Sequence, residues 1–286
     1  MLIFNHCIDF TAEPALNPAC RSTQSIKVVP SRLPHFKLRT EYYPHSLRDV
    51  CYMSHEPFAE TKGYQVEWAM QIKGVVTLAW FPKEREIRYE KAEAFTPQRL
   101  RFWIYHTFLP ILFEMERRYH ILHVGAVEVE EKAALFMAPS FGGKSTLTDH
   151  FLNAGYRLLS DDTLAIEEKN GLFRAIASWP FHRPFREPET LGYETNNFVD
   201  RPLPIGAVFL LEKAAPNAAV TMMEVKGIEK YKALHMGSFI PIDFLKERTF
   251  TFKSELAKQI DMFRVTIPWD MNRLPEVEEK IVSIIK

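Results

Sequence analysis

Hydrophobic and polar positions follow two different textures along this chain. In the first third, apolar residues recur at short, strand-like intervals. Gln65 to Ile72 alternates polar and apolar residues in part, as a half-buried strand does. Lys73-Gly74 offers a turn into Val75 to Phe81, a stretch rich in β-formers, and Glu86 to Glu90 supplies a third segment after the turn at Pro82-Lys83-Glu84. These segments predict a small antiparallel module. Thr96-Pro97 then reads as a helix start, with Thr as the N-cap and Pro at the first helical position. Leu100, Ile104, Phe108, Ile111, Leu112 and Met115 carry the helical spacing toward His120, with a kink expected at Pro110.

From Ile121 the texture changes. Leu122 to Val129 reads as one strand that includes His123, and Glu130-Glu131-Lys132 as a tight polar turn. Ala133 to Met137 is short and wholly apolar, as a strand at a sheet centre is. It runs directly into Ala138-Pro139-Ser140-Phe141-Gly142-Gly143-Lys144-Ser145-Thr146 and a helix from about Lys144 to Asn153, with Gly155 as its C′ residue. Arg157 to Asp162 is a further strand with an acidic tip, Ile205 to Leu211 another, and Pro275 to Ile285 a closing helix. The organisation expected is a β-rich module over residues 1–95, a bridging helix over 96–120 and a mixed α/β core over 121–286.

Composition changes this picture little. Hydrophobic residues make up 47% and charged residues 25% of 286, which suits a soluble globular protein. The 36 basic side chains balance the 36 acidic ones, so neither nucleic acid nor an anionic membrane is expected as a partner. The longest apolar run, Phe102 to Phe113, is interrupted by His106 and Pro110 and falls short of the roughly 20 residues of a membrane-spanning helix. The N-terminus lacks a secretory pattern. Cys7, Cys20 and Cys51 lie far apart without a C-x-x-C pair, which fits a reduced, cytoplasmic protein without a zinc site.

Chemistry concentrates between Ala138 and Thr146. Ala138-x-x-x-x-Gly143-Lys144-Ser145 fits the Walker A pattern with Ala in place of the leading Gly. Such a loop turns successive backbone N–H groups toward phosphate oxygens at the positive end of a helix. Gly142 and Gly143 permit the tight turn, Lys144 neutralises phosphate charge, and the Ser145 hydroxyl is a Mg²⁺ ligand. ATP with Mg²⁺ is the expected ligand, with Ser140, Phe141 and Thr146 completing the contacts. Phe141, at the crest, either clamps phosphates or shapes an acceptor site.

Asp161 and Asp162 sit at the tip of the strand that follows the loop's helix, beside the loop if the two strands are sheet neighbours. One carboxylate could hold Mg²⁺, directly or through water, and the other could take a proton from an attacking hydroxyl; the plain alternative is a solvated turn. His123, taken alone, reads as a packed core residue more readily than as a catalyst. His182, Arg183, Arg186 and Glu187 form a group whose arginines could stabilise transferring charge or simply face solvent.

The run His123-Val-Gly-Ala-Val-Glu-Val, the loop Ala138 to Thr146 and the stretch Ala154-Gly-Tyr-Arg-Leu-Leu-Ser-Asp161-Asp162 together resemble HPr kinase/phosphorylase and its relatives, which share a kinase core with phosphoenolpyruvate carboxykinase. The resemblance implies an α/β P-loop kinase core with a small N-terminal β-rich module. It implies Asp162 as the general base, His123 beside the acidic pair, Asp161 assisting metal or water, and Lys144 and Ser145 on phosphate and Mg²⁺. The Gly-rich segment that accompanies a metal-holding Glu in the bifunctional enzymes is missing around Glu187, so the chain looks like the HPr-kinase-related proteins, some of them peptide-modifying, rather than the bifunctional enzyme. The implied activity is transfer of the γ-phosphoryl of ATP to a hydroxyl of a peptide, protein or small molecule. An ATP-binding regulatory module without phosphotransfer is the alternative, and a carboxykinase-like decarboxylating enzyme a third reading. HPr kinases are hexamers; the residues here leave homo-oligomerisation open.

Overall fold

The computed structural model of the protein describes residues 2–17, 20, 24–44, 47–59, 65–184, 187–238 and 242–286. The chain divides into two compact units, one of Met1–Arg118 with Arg186–Leu191, the other of Tyr119–Phe185 with Gly192–Lys286. Residues 96–118, expected as a separate bridge, fall within the first unit.

The first unit is built on an eight-stranded sheet, larger than the three strands read from the sequence. Its strands are β1 (Cys7–Phe10), β2 (Ser25–Pro30), β3 (Leu38–Arg39), β4 (Tyr43–Pro44), β5 (Asp49–Ser54), β6 (Trp68–Ile72), β7 (Val76–Phe81) and β8 (Glu86–Lys91). The order is β1-β2-β8-β7-β6-β5-β3, with β4 also on β5. It is not purely antiparallel, because β1 and β8 each pair with β2 in parallel. The helical segment starts as expected, with the Thr96 side chain accepting from the Arg99 N–H, but is not one helix. It runs as α1 (Pro97–Trp103), a π-helical turn over Ile104–Phe108 and α2 (Leu109–Met115). Pro110 has no N–H and its ring would crowd the carbonyl four residues back, so the wider turn absorbs the misfit. Phe108 in that turn stacks on Trp68 with ring centroids 4.6 Å apart.

The segment 187–191 supplies this unit with a buried acid. Glu189 takes hydrogen bonds from Arg48 (2.8 Å) and Trp103 Nε1 (2.8 Å) and an ion pair from Arg99 at 3.0 Å. Burial alone would raise its pKa, but the hydrogen bonds and the two guanidinium charges outweigh burial and hold it below the usual range.

Cys7 and Cys20 form a disulfide, which corrects the expectation of three reduced thiols; only Cys51 is free, and it is buried. The spacing hid the pair because a turn closes it. Asn17 folds back on β1, accepting from the Phe10 N–H at 2.6 Å and donating to Asp9 at 3.0 Å. No helix among the described residues is long and apolar enough to cross a membrane.

The second unit is a mixed α/β layer structure on a nine-stranded sheet. Its strands are β9 (His120–Leu122), β10 (Gly125–Val129), β11 (Lys132–Met137), β12 (Arg157–Ser160), β13 (Leu164–Lys169), β14 (Leu172–Ile176), β17 (Leu203–Ala214), β18 (Met222–Glu224) and β19 (Met262–Pro268); β15 (Phe181–His182) and β16 (Tyr193–Glu194) form a separate hairpin. The sequence reading ran β9 and β10 together. The structure breaks that run at His123-Val124, because β9 pairs with β13 while β10 pairs with β11 and β12. His123 therefore lies between strands rather than on one.

Alternate residues of β11 serve the two faces. Ala134 and Phe136 pack with Phe151 of α3 (Lys144–Asn153) and with Val277 and Ile281 of α6 (Leu274–Ile285). Ala133, Leu135 and Met137 pack with Ala233 of α4 (Ile228–Met236) and with Phe252 and Leu256 of α5 (Lys246–Gln259). A two-residue turn joins β10 to β11, with Glu130 and Glu131 both at positive φ (47° and 59°), the pattern of a type I′ hairpin.

Candidate functional site

Sheet polarity gathers the site. β11, β17 and β19 run parallel, so Met137, Ala214 and Pro268 end on one rim. β10 runs antiparallel to β11 and to β12, so its beginning stands where those two strands finish. The condition set for Asp161-Asp162 to stand beside the loop, that the two strands be sheet neighbours, is not met, since β10 lies between β11 and β12. The intervening strand still leads from His123 on that same rim.

The loop leaves β11 at Ala138 and enters α3 at Lys144. The Gly142 N–H bonds to the Pro139 carbonyl at 3.0 Å, and a Cβ on Gly142 would stand 2.7 Å from the Ala138 Cβ and 2.9 Å from that carbonyl oxygen. Only glycine fits there, and a small residue at 138 belongs to the same constraint. Gly143 caps the helix at φ 91°, and its carbonyl takes the first helical bond from the Leu147 N–H at 2.9 Å. Lys144 is buried, and its ammonium donates across the loop to the Ala138 carbonyl at 2.6 Å. Ser145 and Thr146 are half-buried in the helix's first turn, while Ser140 is exposed and Phe141, at φ 61°, is 84% exposed at the crest.

Both acids follow β12 and are buried. Asp162 Oδ1 lies 3.4 Å from His123 Nδ1, and the His123 N–H is anchored on the Gly237 carbonyl at 2.8 Å. Asp161 points elsewhere. Its Oδ2 accepts from the Arg183 N–H at 2.9 Å and its Oδ1 lies 3.1 Å from His182 Nδ1. The other nitrogen of His182 is 3.2 Å from Asp149 Oδ1 on α3, which also accepts from the Tyr193 hydroxyl at 3.0 Å. The wholly buried His182 thus links the acidic pair to the loop's helix. Burial, the bond to Asp149 and the charges of Asp149 and Asp161 push the Tyr193 phenol up to about 12.

A cleft of about 720 Å³ opens along this rim, lined by His123, Ala138, Pro139, Gly142, Lys213 and Lys232 among others. It holds His123 and the loop in one concavity, as a ligand site on the carboxyl ends of parallel strands does.

Sequence reading missed Tyr193, Asp149 and Lys213, whose types and spacing carry no motif. Of the group around residue 182, His182 is wholly buried rather than solvated and Arg183 contributes its backbone. Glu187 is exposed in the first unit, and Arg186 lies outside the described residues.

No family model matches the chain. No curated protein matches it either. Among solved structures it is similar to the Hpr(Ser) kinase/phosphatase from Coxiella burnetii, with 13% identity and a TM-score of 0.31 over 57% of this chain and 93% of that one. So low a score decides nothing about activity, and the chemistry of the site stands on its own residues.

Proposed function

We propose that the chain is an ATP-dependent kinase, binding ATP with Mg²⁺ at Ala138 to Thr146 and passing the γ-phosphoryl group to a hydroxyl of a peptide, protein or small molecule. The observation that carries this reading is the Asp162–His123 pair at 3.4 Å, with His123 in the same cleft as the loop. A phosphate chain held on the loop N–H groups would present its terminal group toward that cleft. Asp162 then takes the proton of the attacking hydroxyl while His123 fixes the direction of the carboxylate. Lys144, released from the Ala138 carbonyl, exchanges that neutral acceptor for phosphate oxygens, a charge-assisted bond of greater strength.

The oxygen donors on hand suit Mg²⁺, a hard cation that keeps several waters. Ser145 would hold it directly, and Asp161, whose Oδ2 already accepts from the Arg183 N–H, would assist the ion or its water. Bound there, the ion would supply positive charge against that developing on the phosphates.

Labelled ATP offered with a panel of hydroxyl-bearing peptides, proteins and small molecules tests the reading. Transfer by the parent chain, abolished in Lys144→Ala, is expected. Tight ATP binding with no product across the panel would favour the nucleotide-gated regulatory module instead.

A further inference from the structure

The loop has an aromatic neighbour that the proposed reaction does not use. Trp269 directly follows β19, and its N–H bonds to the Ala214 carbonyl at the end of β17 at 3.1 Å. That anchor holds the indole on the rim where the loop begins. A Cβ on Gly143 would lie 3.5 Å from Cζ3 and 4.0 Å from Cη2 of the indole, so the benzo edge of the ring stands against the last glycine of the loop. Lys213 Nζ sits over the ring, 3.6 Å from its centroid, and Lys213 also lines the cleft shared with Ala138, Pro139 and Gly142.

Exposure sets this ring apart. Trp269 is 45% exposed, whereas Trp68, Trp80, Trp103 and Trp179 are all 3% exposed or less. The four other rings are buried; this one, with the Lys213 ammonium over one face, is half exposed beside the loop proposed above to hold phosphate. An aromatic face accepts any nucleobase by stacking, and an ammonium held on the same ring suits a ligand that is aromatic at one end and anionic at the other. A nucleoside triphosphate has that chemistry.

We infer that Trp269 is the stacking platform for the base of the bound nucleotide, offering the ring face opposite the one that Lys213 covers. The inference rests on the nucleotide reading above, and it predicts that a base-free triphosphate binds more weakly than ATP.

The experiment compares ATP with inorganic tripolyphosphate on the full chain, by calorimetry and by iodide quenching of tryptophan fluorescence. As the sole half-exposed tryptophan of the five, Trp269 dominates iodide quenching. ATP should shield it and tripolyphosphate should not. Trp269→Ala should lose about tenfold in ATP affinity with tripolyphosphate affinity unchanged, and Trp269→Phe should retain most of the ATP affinity. Equal losses for both ligands would mean that the ring only props the loop and would overturn the platform, as would parent-level ATP binding by Trp269→Ala. Tripolyphosphate binding as tightly as ATP to the parent chain would overturn the platform while leaving the phosphate loop standing. Binding of neither ligand to the parent chain would overturn the nucleotide reading itself, and the platform with it.

Discussion

His123 Nδ1 faces Asp162 Oδ1 across 3.4 Å, although the two residues leave different strands of the sheet and meet only at its rim. The pair divides labour in the proposed reaction. Asp162→Asn keeps the shape and loses the proton acceptor, so transfer should fall by about 100-fold or more with ATP affinity retained. His123→Asn, which removes only the group that aims the carboxylate, should cost less. Single-turnover transfer and ATP titration check both, and parent-rate transfer by Asp162→Asn would rule out its role as base.

Gly142 offers a sharper dissection of the loop. A Cβ there would collide with Ala138 and the Pro139 carbonyl, 2.7 Å and 2.9 Å away, both fixed parts of the turn. Gly142→Ala should therefore distort the cradle and weaken triphosphate binding at least tenfold, while the melting temperature changes little because the loop lies outside the core. Unchanged affinity in that variant would show that the loop does not grip phosphate.

Acid should weaken both units through buried histidines. Burial, opposed by a hydrogen bond to the Phe4 carbonyl and aided by the charges of Arg118 and Arg85, lowers His6 to about 4. Burial and then the charges of Arg248 and Lys253 lower His120, which stacks on Phe252, to about 2. Folded, both stay neutral; unfolded, both take up a proton below about 6.5. Stability is thus whole above pH 6.5 and falls by about 1.4 kcal/mol per pH unit for each histidine, down to about pH 4 for His6 and about pH 2 for His120. Urea unfolding between pH 7.5 and pH 5 measures the slope. His120→Phe should flatten it, and an identical slope in parent and variant would exclude His120 as a cause.

Reduction of Cys7–Cys20 should destabilise the first unit. The bridge closes a loop with a sequence separation of 13, for which lost chain entropy in the unfolded state amounts to about 3 kcal/mol. Dithiothreitol, or the paired change to Ser, should lower the denaturation midpoint accordingly. No shift under reductant would mean that the two sulfurs are not joined in solution.

Legibility in the sequence followed how local each cause was. The helix from Lys144 to Asn153 and its Gly155 stop were readable, because capping and glycine conformation are settled within a few residues. The break at His123 was not, since Leu122 to Val129 keeps a continuous strand pattern and only the choice of partners, β13 on one side and β11 with β12 on the other, divides it. The helix α5 was hidden for another reason: of its residues only Phe252, Lys253 and Leu256 are buried, and so sparse an apolar stripe leaves little periodicity to read. His182 stood out only as a member of the group with Arg183, because its place between Asp161 and Asp149, which belong to different elements, leaves no local trace.

The turn at Glu130-Glu131 sits at the opposite end of β10 from His123, yet it sets the register of the strand that leads from His123 against the strand that leads into the loop. Its two residues fix Gly125 opposite Phe136 and Val129 opposite Lys132. One residue more, taken up within the strand, would slide β10 by a full step against β11 and turn each of its side chains to the other face, shifting His123 relative to the loop. The identity of the candidate site residues would survive such an insertion untouched. In this fold the spelling of the site and its punctuation are inherited separately, and an intact set of acids and lysine would not by itself certify a working enzyme.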